Sequence, residues 1–260
     1  MRKAAEQGFA GAQANLGIAY ENGKGVPQDY AEALKWYRKA AIQGIAEAQH
    51  NLGVMYDNGQ GVPQDFAEAV KWWRLAAEQG VAVAQSNLGG IYSQGKGVPQ
   101  DNAEAAKWHR KAAEQGHPGS QYNLGFMYES GLGVPQDYAE AVKWWHLAAE
   151  QGDASAQNSL GIMYNSGQGV PQDDPKAAKW WRMAAEQGHA GSQYNLGLMS
   201  HYGRGMPQNN VEVYKWWTLA ADQGFKGSIE NRDIVADVMT PDQIAEAQRM
   251  AREWMAKHPQ

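Results

Sequence analysis

Gly61-Val62-Pro63-Gln64-Asp65 is one copy of a pentapeptide that returns every 36 residues, at Gly25, Gly97, Gly133 and Gly169, with Gly-Met-Pro-Gln-Asn at Gly205. Gln-Gly keeps the same step, beginning at Gln7, Gln43, Gln79, Gln115, Gln151, Gln187 and Gln223. So does a Trp, at Trp36, Trp72, Trp108, Trp144, Trp180 and Trp216. A fixed period of this length marks a stacked repeat architecture, in which each unit buries its apolar face against its neighbours. The expectation is an all-α solenoid of helix-turn-helix units. Such a chain has no central core in which to hide an active site, and it offers a long surface instead.

Positions are counted from the residue after Gln-Gly. Each unit then carries one helical pattern before the pentapeptide and one after it. Helix A covers roughly positions 2 to 14, as in Ala46 to Asn58, with Ala48, Leu52 and Tyr56 on one apolar stripe. Gly59 suits a left-handed C-terminal cap, and the pentapeptide makes the turn. Asp65 is the expected N-cap of helix B, with Glu68 completing a capping box. Asp29/Glu32, Asp101/Glu104, Asp137/Glu140 and Asn209/Glu212 repeat the pair, while the fifth unit is expected to cap through Asp174-Pro175. Helix B is expected to bury Ala69, Trp72, Trp73, Ala76 and Ala77. Gly17, Gly53, Gly89, Gly125, Gly161 and Gly197 sit inside helix A, where glycine is costly. Their recurrence predicts that a neighbouring backbone or indole passes too close for a side chain.

Six full repeats are expected, at 9–44, 45–80, 81–116, 117–152, 153–188 and 189–224. Residues 1–8 read as the remnant of a preceding repeat helix, and residues 225–260 as a degenerate repeat and C-terminal cap. In that cap Thr240-Pro241-Asp242-Gln243 starts a helix with Ile244, Ala247, Ala251, Trp254 and Met255 as its apolar stripe. The half-helix at the start would leave an edge on which a second copy can stack, so a monomer or weak dimer is expected.

The 260 residues carry a net charge of -5 and no cysteine. There is no basic footprint for nucleic acid, no disulfide and no thiolate metal site. No apolar run approaches a membrane span, so a soluble chain without membrane insertion is expected, its compartment, cytoplasm or periplasm, left open.

The run of Ala-x-x-x-Leu-Gly-x-x-Tyr, Gly-x-Gly-Val-x-x-Asp, Ala-x-x-Trp and Ala-Ala-x-x-Gly, in register six times, resembles the Sel-one-like repeat (SLR) family. These are relatives of tetratricopeptide solenoids with a longer turn between helices. The closing Thr-Pro-Asp-Gln-Ile-Ala-Glu-Ala-Gln is similar to the terminal helix of bacterial members. The resemblance implies a right-handed superhelix with helix A lining the concave side. It also implies a non-enzymatic adaptor or scaffold that grips a protein or peptide partner. Properties of the cysteine-rich, disulfide-bonded subgroup do not carry over.

Comparing the copies with each other locates the candidate site. Helix-A positions 3, 6, 10 and 13 drift between units and share an arc of roughly 80° opposite the apolar stripe. That face carries Ala14, Ile18 and Glu21, then Glu47, His50, Val54 and Asp57, then Val83, Ser86 and Ser93. Tyr122, Phe126 and Glu129 follow, then Ser155, Asn158, Ile162 and Asn165, and finally Tyr194, Leu198 and His201. Tyr122 with Phe126, and Tyr194 with Leu198, are expected to form aromatic ledges for a partner, because rigid rings add contact area at low entropy cost. Glu21, Glu47, Asp57 and Glu129 suggest a partner segment bearing Lys or Arg. Beside this face run Asn15, Asn51, Asn87, Asn123 and Asn195, interrupted by Ser159. Their amides could bond an extended peptide backbone, but the favoured expectation is that each satisfies backbone groups of its own repeat.

No His pair sits on one helical face at metal spacing, and the Gly-x-Gly turns lack a P-loop Lys-Ser/Thr. No catalytic residue, cofactor or metal is expected. His117 and His189 read as turn residues. Two rival functions stay open: an immunity or regulatory protein docking on a toxin or signalling enzyme, and an enzyme acting on cell-wall or β-lactam compounds.

Overall fold

The computed structural model describes residues 2–258. Among them are fifteen α-helices and no strand, and no helix is long and apolar enough to cross a membrane. The chain divides into two compact units, Met1–Gln136 and Asp137–Gln260. In the first, α1 (Arg2–Glu6) precedes α2 (Ala10–Asn22), α3 (Tyr30–Ile42), α4 (Ala46–Asn58), α5 (Phe66–Glu78), α6 (Ala82–Gln94), α7 (Asn102–Glu114) and α8 (Pro118–Ser130). In the second, α9 (Tyr138–Glu150) is followed by α10 (Ala154–Ser166), α11 (Asp174–Glu186), α12 (Ala190–Tyr202), α13 (Asn210–Asp222), α14 (Ser228–Ala236) and α15 (Pro241–Lys257). Each helix A of the six repeats begins at position 2 and ends at position 14, as the pattern predicts.

The helix starts follow from their caps. Asp29, Asp65, Asp101, Asp137, Asp173 and Asn209 each accept a first-turn N–H. The capping box expected here does not close, because the N-cap amide is already committed: Asp65 N–H donates to the Tyr56 carbonyl at 2.9 Å. The first-turn glutamates turn elsewhere. Glu68 pairs with Lys71, while Glu32 and Glu104 accept the Trp36 and Trp108 indole N–H at 3.0 and 2.8 Å. A closed box forms only where it was also expected, at Thr240 and Gln243, among the described residues. In the fifth repeat the cap is Asp173, which accepts from Lys176 N–H at 2.9 Å. Asp174, expected to share that role, instead holds Arg204 through both carboxylate oxygens, at 2.9 and 3.0 Å. His117 and His189 do belong to turns, as N-caps whose Nδ1 accepts from Ser120 and Ser192 N–H, both at 3.1 Å.

Glycine is required at two places in the unit. Gly61 has φ of 71°, and a Cβ there would stand 2.5 Å from the Tyr30 carbonyl oxygen of the preceding repeat. A Cβ on Gly53 would stand 2.5 Å from Cδ1 of Trp73, so the close indole expected from the recurring helix-A glycine is present. That ring is the second aromatic of helix B. Trp73 is buried, whereas Trp72, expected to be buried beside it, is only half-buried. The first indole varies: Trp144 and Trp180 are half-buried like Trp72, whereas Trp36, Trp108 and Trp216 are buried, with Lys39 Nζ 4.5 Å from the Trp36 ring centre and Lys111 Nζ 4.2 Å from that of Trp108.

Glutamine stitches the repeats. Position 5 is buried, and its amide serves two neighbours. Gln49 Nε2 donates to the Ala41 carbonyl at 3.0 Å, and its Oε1 accepts from Gln79 Nε2 at 2.7 Å. Gln85 repeats this with Ala77 and Gln115, and Gln193 with Ala185 and Gln223. Gln13 bonds the Ala5 carbonyl at 3.0 Å, so α1 serves α2 as α3 serves α4. Arg38, Arg74 and Arg110 add a second tie, each reaching the Tyr hydroxyl of the next repeat, at Tyr56, Tyr92 and Tyr128. At the other end Ala247 and Ala251 of α15 are fully buried, with Trp254, Met255 and Ile244 packed alongside them. This is the stripe read from the sequence.

Candidate functional site

Helix-A positions 3, 6, 10 and 13 were expected to stay at the surface. From the second repeat onward none of them is buried: Glu47, Val83, Phe126 and Ile162 are exposed and the others half-buried. The first repeat departs from this, since Ala14 is buried.

Between successive helices A lie notches that recur at equivalent places. Each is walled by position 13 and the second helix-B ring of one repeat, and by positions 7 and 10 or 11 of the next. Asp57, Trp73, Asn87 and Lys96 line one of about 240 Å³. Ser93, His109, Asn123, Phe126 and Leu132 line one of about 400 Å³. In the second unit Asn165, Trp181, Asn195, Leu198 and Arg204 line one of about 130 Å³. Position 10 holds Ile18, Val54, Phe126, Ile162 or Leu198 elsewhere but Gly90 in the third repeat. Gly90 lines both larger notches, and a Cβ built on it meets nothing within 4 Å. The groove therefore continues across bare backbone on α6. Comparing the copies at position 10 would have shown this, and Gly90 was missed because only side chains were read.

The matching place in the first repeat is filled from within. The Tyr37 hydroxyl donates to Glu21 at 2.5 Å and lies beside Asn51. Burial first, then the Glu21 carboxylate, pushes its pKa up. In the open grooves the Asn amides are unengaged. Among the described residues the side chains of Asn87, Asn123 and Asn195 make no protein hydrogen bond, whereas Asn22 folds back on the Ile18 carbonyl at 3.0 Å. The favoured expectation, that the column satisfies its own repeat's backbone, has no bond to support it at these three positions.

Burial raises the carboxyl pKa of Asp57, with Lys96 opposing it, and that of Glu129, where burial is the sole cause. Lys96 itself sits 5.8 Å from the Phe66 ring centre. His50 is held below the usual imidazole range by burial, against the pull of Glu21. Its carbonyl accepts the Trp73 indole N–H at 3.2 Å. His109 takes the place of that indole one repeat on, and burial, with a smaller push from His117, lowers it to about 4.

The second unit presents less of the face. Tyr194 lies 5.0 Å from Phe225 and 6.3 Å from Trp217, ring centre to ring centre, and its hydroxyl accepts from Asn231 Nδ2 at 3.1 Å. Of the ledge expected from this pair, Tyr194 is engaged by the start of the C-terminal cap, while Leu198, packed in the same cluster, still lines its notch. His201 lies between Tyr202 and Trp217, at 4.8 and 5.6 Å. Asn158 accepts from Ser192 Oγ at 2.9 Å. Glu47, Asp57, Tyr122, Phe126 and Glu129 thus belong to the first unit's face with Asn87 and Asn123, while Asn158, Tyr194 and His201 are engaged in packing. Among the described residues no group of His, Asp or Glu converges on a metal-sized site.

The Sel1 repeat model matches residues 10–45, 46–81, 82–117, 118–153, 154–189 and 190–225. A Sel1 repeat protein from Oxalobacter formigenes is 35% identical, with a TM-score of 0.72, over 82% of this chain and 86% of that one. The protective antigen c5321 of uropathogenic Escherichia coli, which displays an SLR fold, is 29% identical over 99% of this chain and 86% of its own, at a TM-score of 0.45. The immunity protein Pa5087 from Pseudomonas aeruginosa is 21% identical over 84% and 83%, at 0.45. No curated protein is significantly similar to the chain. With six consecutive matches across its helix pairs, the chain belongs to the Sel1 repeat family.

Proposed function

We propose that the chain binds an extended segment of a partner protein along the exposed helix-A face of α4, α6 and α8. Sel1-repeat proteins are in general protein-interaction scaffolds. The observation that carries the finer reading is the pair of unengaged amides, Asn87 and Asn123, in adjacent notches of the same unit. An amide offers a donor and an acceptor together, which matches the two groups a peptide backbone presents at each residue. α6 and α8 lie against one another. Neighbouring helices are spaced roughly 10 Å apart and an extended chain rises about 3.3 Å per residue, so the two amides would engage backbone about three residues apart.

The test is selection of a random peptide library on the full chain. Enriched peptides should bind the Asn87→Ala/Asn123→Ala variant at least roughly tenfold more weakly, each lost amide contact costing on the order of 1 kcal/mol. The urea midpoint should stay unchanged. No enrichment, or equal binding by the variant, refutes the reading.

A further inference from the structure

The strongest unexplained feature of this face is that one repeat in six lacks a side chain at position 10, and that two notches, the larger of about 400 Å³, open there. Gly90 stands in the interior of α6, where glycine costs roughly 0.5–1 kcal/mol against alanine. The packing does not demand it, since a Cβ would meet nothing within 4 Å. The contrast with Gly53, where a Cβ would strike Trp73, is direct. What the missing side chain leaves is a hollow of about 400 Å³. Its apolar wall is exposed: Phe126 is 45% and Leu132 39% accessible, and Met127 lies buried beside them. On the floor is His109, smaller than the indole found at Trp73, Trp181 and Trp217. Two departures in the third repeat enlarge one place, glycine for a larger apolar residue and histidine for an indole, and a third in the fourth repeat makes its wall apolar, Leu132 where the other repeats carry Lys24, Gln60, Lys96, Gln168 or Arg204.

Charge fixes the neighbouring contact. Glu129 follows Phe126 by three residues and so shares its side of α8. Its carboxylate is half-buried, has no hydrogen bond or ion pair among the described residues, and bears a desolvation penalty that no cation offsets. At the other end of the groove Asp57 is already answered in part by Lys96. The chain as a whole carries a net charge of -5.

We infer that the Gly90 hollow is a specificity pocket for one apolar side chain, Leu, Ile, Met or Phe, of an extended partner segment, with a Lys or Arg two residues away set against Glu129. This rests on the extended-segment reading above. The spacing of two follows because alternate side chains of an extended chain point the same way, so anchor and base both face the groove. Asn87 and Asn123 would hold the backbone, while the hollow selects the sequence.

Peptides of Ser/Thr-rich background carrying the apolar-x-Lys pattern, and the same peptides with the apolar or basic residue varied, should be titrated against the full chain. Wild type is expected to prefer the apolar anchor by roughly tenfold or more over Ser, the yield of burying one such side chain. Gly90→Leu, which restores the residue type of the other repeats, should erase that preference without lowering the urea midpoint. Glu129→Gln should erase the preference for Lys over Ser and leave the apolar preference intact. If Gly90→Leu is unstable, Phe126→Ser, on an exposed wall, tests the same pocket. Binding of all peptides with no apolar preference, or a preference that survives both changes, overturns this inference and leaves backbone clamping standing. Absence of binding by every peptide overturns both.

Discussion

Two helix-A glycines, Gly53 and Gly90, occupy the same kind of backbone for opposite reasons. At Gly53 the space is taken: a Cβ would stand 2.5 Å from Trp73 Cδ1 and 2.6 Å from its Nε1. At Gly90 the space is empty. Alanine favours a helix interior over glycine by nearly 1 kcal/mol, while overpacking a tight seam costs about 1–3 kcal/mol. Gly53→Ala should therefore lower the urea midpoint of unfolding, and Gly90→Ala should raise it. Equal shifts in the two would mean that the Trp73 ring yields and that helix propensity alone decides. The recurring glycine was legible in the sequence as a close approach, because six copies accept its cost. Which ring approaches was not legible, since the adjacent pair Trp72-Trp73 gives both indoles the same apolar character and only the backbone angle separates them.

At the level of the element, the approximate extent of helix A and the start of helix B were legible because cap, stripe and C-terminal glycine repeat in register. The glutamine seam was not. A Gln in helix A, as in Ala48-Gln49-His50, reads as the polar side of an amphipathic helix, yet Gln49 is 4% exposed and bonded on both ends of its amide. Gln49→Met keeps the volume but removes both bonds, the one to the Ala41 carbonyl, which keeps the Gly44 N–H at 3.0 Å, and the one from Gln79; at about 0.5–1.5 kcal/mol each this costs roughly 1–3 kcal/mol. Gln79→Ala removes one bond from an exposed side chain and should cost no more than about 1 kcal/mol. A larger loss of urea midpoint for Gln49→Met than for Gln79→Ala supports the seam; the reverse order would place the stability in the exposed partner. The covering of Tyr194 was illegible for a different reason. Phe225 and Asn231 lie in the segment that breaks the repeat, so no copy existed against which to compare them.

For the molecule as a whole, stability should depend on pH through one buried histidine, His109, and four half-buried ones. Desolvation lowers the pKa of His50, His109, His117, His146 and His189 in the folded chain, furthest for His109, to about 4. Above pH 6.5 these rings are neutral whether the chain is folded or not, and the folded state pays nothing for them. Between pH 6.5 and the folded values the unfolded chain binds more protons, so stability falls as the solution is acidified. For His109 alone, 3% exposed and lowered from 6.5 to about 4, the loss reaches at most about 3 kcal/mol by pH 4. Asp57 and Glu129 work the other way, since burial raises their folded pKa and gives the folded state the greater proton affinity as the pH drops. Five histidines against two carboxyls leave a net loss on the acid side. On the alkaline side Tyr37, held protonated by burial and by Glu21, destabilises the fold once the unfolded phenol ionises above its ordinary value of 10. Urea midpoints measured across this range should hold a plateau near neutral pH and decline towards pH 4. His109→Tyr, which places there the residue that Tyr37 supplies in the first repeat, should flatten the acid branch more than any other single histidine replacement. An acid branch of unchanged slope in that variant would show that His109 takes up a proton without leaving its place beneath the groove.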